Sequence, residues 1–145
     1  MNKTKWISCS LALIALVMLT GCASTGGGSS APPPPSDEEL VGTMVASAME
    51  ALKAKDIAGM VSNYSDDFSS DNGGKDDTIA FLEGAADQGF LDDIMVDDSE
   101  MTVTVDGDSA TAGPIALEGA FGALTLTFDL EKRDGRWWVT SQSQE

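Results

Sequence analysis

The sequence contains no histidine. A Ser-His-Asp triad, a histidine-ligated zinc site and an imidazole general base are therefore excluded. Basic residues are scarce as well. Eight Lys and Arg stand against 24 Asp and Glu, for a formal net charge of -16. No nucleic-acid partner is expected, because phosphate binding needs Lys and Arg to displace counterions. Cysteine occurs only at Cys9 and Cys22. The one long apolar run, Trp6 to Leu19, is broken by Ser8-Cys9-Ser10. It is too short to span a bilayer comfortably as a permanent helix. The rest of the chain has enough apolar residues for a packed core, and its length suits one domain.

The apolar run has the layout of an export signal. Lys3 and Lys5 precede it, and Leu19-Thr20-Gly21-Cys22 follows it. This segment resembles the lipobox of bacterial lipoproteins. The resemblance implies a signal peptide over 1–21, cleavage before Cys22, and acylation of Cys22 by a diacylglycerol and a further fatty acid such as palmitate. Several acyl chains on one residue give stable anchoring where one chain would not. Ala23 follows the lipidated position in place of Asp, which implies export to the outer membrane, facing the periplasm. The mature chain then keeps 6 basic and all 24 acidic residues. With Cys9 removed and Cys22 acylated, the globular part has no thiol and no disulfide.

Residues 22–36 read as a tether. Gly26-Gly27-Gly28-Ser29-Ser30 is flexible, and Pro32 to Pro35 extends as polyproline II. The folded domain is expected over 37–143. Ser36-Asp37-Glu38-Glu39 has capping-box spacing, and Leu40, Val41, Met44, Val45, Ala48 and Leu52 recur at helical spacing after it. Asp56 is placed to cap a second helix carrying Ile57, Met60, Val61 and Tyr64 on one stripe. Ser65-Asp66-Asp67-Phe68 is expected to leave it as a turn. Asn72-Gly73-Gly74 signals a turn. Asp76 or Asp77 caps a third helix with Ile79, Leu82 and Ala86 on its buried stripe, and Gly89 stops it.

After Ser99 the period changes to two. Strands are expected around Met101 to Val105, Ala110 to Leu117 with an edge or bulge at Pro114, Leu124 to Glu131, and Arg136 to Gln142. Asp134-Gly135 is a two-residue hairpin turn. It predicts the pairs Arg133 with Arg136, Lys132 with Trp137, Glu131 with Trp138, and Leu130 with Val139. Trp137 then shares the core face with Leu130 and Val139. Trp138 lies opposite, half-buried against threonines or in contact with a partner or ligand.

Helices first and antiparallel strands afterwards give an α+β class. From Asp37 to Gln142 the chain resembles the nuclear transport factor two-like superfamily, also called SnoaL-like or cystatin-like. The resemblance rests on the long and short helices, Asn63-Tyr64-Ser65-Asp66-Asp67-Phe68, Gly74-Lys75-Asp76-Asp77-Thr78-Ile79-Ala80-Phe81-Leu82, and Asp134-Gly135-Arg136-Trp137-Trp138-Val139. It implies a strongly curved sheet wrapped around helices as a cone, and dimerisation through the sheet's outer face, where Trp138 lies. The middle strands read as short and rich in Gly and Ala, which argues against a deep pocket.

Enzymes of the resembling family use Asp, Tyr, Asn, Arg or His inside the cone. Tyr64 and Asp67 are the candidate catalytic groups here, as phenol donor and carboxylate base. The periodicity favours Tyr64 as a core aromatic, and Asp66-Asp67 as turn residues. The acidic pairs Asp66-Asp67, Asp76-Asp77, Asp92-Asp93 and Asp97-Asp98, with Asp71, carry oxygen ligands suited to Ca²⁺, yet no EF-hand spacing is met and a solvated surface is favoured. No cofactor or metal is expected. The leading expectation is a lipid-anchored, non-catalytic binding or assembly domain. The alternatives are an isomerase or hydrolase using Asp and Tyr64, and a calcium-binding acidic surface.

Overall fold

The computed structural model describes residues 33–145. The signal segment, Cys22 and the tether up to residue 32 lie outside the described residues.

Helix α1, Asp37–Lys53, starts where the capping sequence places it. Ser36 Oγ accepts a hydrogen bond from the Glu39 amide at 3.2 Å, and three acids occupy the first turn at the positive end of the helix dipole. Its buried stripe is Val41, Val45, Met49 and Leu52. Met49 replaces Leu40, which is 44% exposed. The stripe is therefore narrower and turned slightly from the one expected. Lys55 ends the helix in the left-handed region, at φ 58°, with its amide bonded to the Leu52 carbonyl and the Asp56 amide bonded to Ala51.

The second helix differs from its expectation. Asp56 Oδ1 does cap it, accepting from the Gly59 amide at 2.9 Å. However, α2 is a single turn, Ile57–Met60, continued by a tighter turn over Val61–Asn63. Tyr64 then opens strand β1, Tyr64–Ser70, so the expected helix-exit turn is sheet. The reason is tertiary. In the strand, Tyr64 and Phe68 both bury against the core, and Tyr64 pairs with Val139 of the last strand.

Strand β2, Gly73–Gly74, folds back on β1 and leads into α3, Lys75–Asp87. Asp77 caps α3 from inside its first turn, accepting from the Gly74 amide at 3.1 Å. Gly89, at φ 78°, closes it. Gly89 donates to Ala86 and Phe90 to Ala85, the paired bonds of a left-handed helix stop. Strand β3, Met95–Asp97, is too short for its sequence to announce it. Strands β4, Thr102–Asp106, β5, Ser109–Gly119, β6, Gly122–Arg133, and β7, Arg136–Gln144, complete the sheet.

The sheet order is β2-β1-β7-β6-β5-β3, with β4 also on β5. Neighbours are antiparallel except β1 and β7, which run parallel, so the sheet is mixed. It is curled and open, with the helices packed against it. This is the expected α+β architecture. Far from being short, β5 and β6 have 11 and 12 residues. A bulge at Gly113-Pro114 lets β5 bend without ending, since Ala112 pairs with Phe128 and Ile115 with Leu126.

The β6–β7 hairpin has all four predicted pairs. Asp134 and Gly135 both have positive φ, 54° and 76°, as the mirror-image two-residue turn requires. Trp137 is buried, and its Nε1 donates to Asp37 Oδ1 at 3.0 Å. Lys132 Nζ reaches the same carboxylate at 2.7 Å. These bonds pin the start of α1 to the hairpin and hold the Asp37 carboxyl below its ordinary pKa, chiefly through Lys132.

Candidate functional site: an uncharged cavity in the cone

One feature of β7 sets the character of the site. Asp129 pairs with Ser141, but Leu130 pairs with Val139, so Thr140 is an extra residue. Its hydroxyl donates to the Asp129 carbonyl, and Ser141 donates to the Asp129 carboxylate at 2.7 Å. The bulge shifts the phase of the strand. Trp137 and Val139 point inward before it. After it the inward residues are Gln142, opposite Phe128, and Gln144, opposite Leu126. Unbroken alternation from Val139 would have sent Ser141 and Ser143 inward instead.

The glutamines face a cavity of about 670 Å³ between α3 and the inner surface of β5, β6 and β7. This is a size typical of small-molecule sites. Small residues make the room: Ala80, Gly84 and Ala85 on α3, and Ala123 on β6. The cavity is therefore deeper than the Gly- and Ala-rich strands suggest, because those residues create space along long strands. Phe81, Phe90 and Phe121 also line it, and they are 55%, 41% and 39% exposed. Exposed rings at a cavity edge are a marker of a binding surface.

Among the described residues no Asp, Glu, Lys or Arg lines this cavity. Its polar groups are hydroxyls and neutral amides. Thr78 Oγ1 is within 3.1 Å of Ser70 Oγ, and Gln88 Nε2 donates to the Gly84 carbonyl at 2.9 Å. Gln142, 8% exposed, accepts through Oε1 from the Tyr64 hydroxyl at 3.0 Å.

Tyr64 itself does not line the cavity. It is 1% exposed, with its ring centroid 4.3 Å from that of Phe68. A void of about 10 Å³ lies against it, room for one water at most. Burial pushes its hydroxyl well above the ordinary tyrosine range. Asp67 is on the outside. Its carboxylate takes a bidentate pair from Arg133, at 2.8 and 2.9 Å, which holds it well below the usual carboxylate range. A carboxyl held that low is a weak proton acceptor. Tyr64 and Asp67 thus converge neither on each other nor on the cavity. The residues that do converge, Gln142 and Gln144, carry no sequence signal, because a bulge within an all-polar stretch leaves no trace in the hydrophobic pattern.

The acidic pairs are dispersed. Asp77 caps α3, Asp92 pairs with Lys55, and Asp97 Oδ1 accepts from the Ser99 amide. Among the described residues no three acidic side chains gather into a group that could hold a metal ion. No helix among them is long and apolar enough to cross a membrane. Trp138 is half-buried on the outer sheet face opposite Glu131, where the Arg136 guanidinium covers its ring at 4.1 Å from the centroid. Arg136 is held there by Asn63, whose Oδ1 accepts from Nη2 at 2.7 Å.

Neither a protein-family model nor a curated protein matches the sequence. Solved structures do match the fold. A nuclear transport factor two-like (NTF2-like) protein of unknown function from Pseudomonas putida has a TM-score of 0.62 at 19% identity, covering 74% of this chain and 84% of that one. A protein with a cystatin-like fold from Nostoc punctiforme gives 0.60 at 15% identity, covering 73% and 87%. One from Shewanella frigidimarina, provisionally called a ketosteroid isomerase, gives 0.58 at 22%, covering 73% and 94%. The described part of this chain has the nuclear transport factor two-like, cystatin-like fold.

Proposed function

We propose that this protein is a lipid-anchored component of the bacterial cell envelope whose cone domain binds an apolar small molecule without transforming it. The observation that carries the binding part is the uncharged cavity. In a chain with 24 acidic residues, not one lines it. Proton transfer needs a titratable group at the reacting atoms, and the cavity wall offers none. An apolar wall with a few neutral hydrogen-bonding groups suits recognition. The isomerase-type alternative lacks such support, since Tyr64 and Asp67 stand away from the cavity.

Anchoring rests on Lys3, Lys5, the apolar run and Leu19-Thr20-Gly21-Cys22. The mature domain is strongly acidic, so anionic lipid repels it and acyl chains on Cys22 must supply the attachment. The tether lets the domain stand off the surface. Ala23 favours the outer membrane, facing the periplasm.

Two measurements test the proposal. Cys22→Ser should abolish fatty-acid labelling and release the protein from membranes. Retained labelling would end the anchoring claim. The full chain should bind the neutral apolar dye Nile red saturably with a blue-shifted emission, and absence of saturable binding would end the cavity claim.

A further inference from the structure

Gln142 is more than nine-tenths buried and lines the cavity, yet only one side of its amide is used. Its Oε1 is taken by the Tyr64 hydroxyl. Among the described residues its Nε2 donates to no protein acceptor. The amide cannot simply be turned over. The Tyr64 O–H is buried and has no other acceptor among the described residues, so it needs the carbonyl oxygen of Gln142. Tyr64 therefore fixes the amide with its N–H donors toward the cavity. Among the described residues only Ser65 Oγ is sealed without a partner, so Gln142 Nε2 is open to the cavity and left to water, and a ligand that supplies an acceptor there takes that water's place.

The same wall limits the acceptor's charge. Among the described residues no Lys or Arg lines the cavity to neutralise an anion. A carboxylate or phosphate brought in would be left unpaired, at a penalty one amide hydrogen bond does not offset. The long-range field of this acidic chain also repels anions.

We infer that the ligand is an uncharged apolar carbonyl compound (a ketone, ester or amide) whose oxygen is received by Gln142 Nε2, with Tyr64 as the residue that orients the amide. This rests on the cavity being a binding site, and it adds which apolar molecules are chosen.

Three probes of nearly the same shape separate the possibilities: naphthyl methyl ketone, ethylnaphthalene and naphthoate at neutral pH. Each displaces Nile red from the full chain. The ketone is expected to bind about tenfold tighter than the hydrocarbon, and naphthoate weakest of the three. Gln142→Met should bring the ketone down to the hydrocarbon's level and leave the hydrocarbon unchanged. Tyr64→Phe should reduce the ketone-to-hydrocarbon ratio at constant hydrocarbon affinity, which a merely structural role for the hydroxyl would not do. Equal binding of ketone and hydrocarbon to the unaltered protein, a ratio that survives Gln142→Met, or preference for naphthoate would overturn the inference and leave apolar binding standing. If neither Nile red nor any probe binds, the cavity reading falls and this inference with it.

Discussion

The Tyr64 hydroxyl donates to Gln142 Oε1 at 3.0 Å, joining the first residue of β1 to the inner face of β7 across 78 positions of sequence. One side of the pair is core and the other is cavity wall. This bond ties the packed core to the cavity wall. Replacing Tyr64 by Phe keeps the ring against Phe68 and deletes the bond. The expected loss is about 1 kcal/mol, read as a lower denaturation midpoint at unchanged slope. An unchanged midpoint would mean the hydroxyl is not held by Gln142.

The same residue predicts a response to base. Burial raises the folded-state pKa of Tyr64 above the unfolded value of about 10. The stabilisation is complete below the unfolded pKa and is lost as pH rises above it toward the folded value. Alkaline unfolding should therefore coincide with the appearance of phenolate absorbance. As Tyr64 is the only tyrosine, the signal is unambiguous. Reversible titration near pH 10 with the fold intact would contradict its burial.

Asp67 gives the acid counterpart. Arg133 depresses its folded-state pKa, so the pair contributes above the unfolded pKa of about 3.9 and is lost as pH falls below it. Both partners are exposed, so the effect is small and screened by salt. In Asp67→Asn, stability at neutral pH should fall slightly and depend less on ionic strength. Carboxyl chemical shifts followed through acid titration would show Asp67 protonating below the ordinary aspartate range. Protonation within that range would refute the bidentate pair.

The phase of α1 is testable by contrast. Met49 is 1% exposed and Leu40 is 44% exposed. Met49→Ala should cost about 2–5 kcal/mol, whereas Leu40→Ala should stay within about 0.5 kcal/mol. Thermal or denaturant melts of the two variants settle it, and a reversed ranking would contradict the packing of α1.

How much of this was legible in the sequence depended on whether a local rule governed the element. The Asp134-Gly135 turn imposed its register on four pairs, and all four hold. Ser36, Asp56 and Gly89 terminate helices by local hydrogen bonds or backbone geometry, so they were readable as well. Tyr64 was placed on a helix because its spacing from Ile57, Met60 and Val61 fits one. Pairing with β7, which no local pattern encodes, turned the chain into a strand there. The Thr140 bulge was invisible for a different reason. Thr140 through Gln144 are all polar, so the hydrophobic alternation could not report which of them turned inward. The cavity was hidden for the same reason at a larger scale. Its walls come from three helices and three strands, and its volume comes from side chains that are absent at Ala80, Gly84, Ala85 and Ala123.

The central claim is that this uncharged space takes an apolar molecule, and the most direct measurement of it fills the space. Nile red would be titrated against the full chain and against Ala85→Phe, which places a ring in the cavity from α3. Saturable binding by the parent, weakened more than tenfold in the variant at unchanged secondary structure, is the predicted result. No saturable binding by the parent, or equal binding by both, would contradict it.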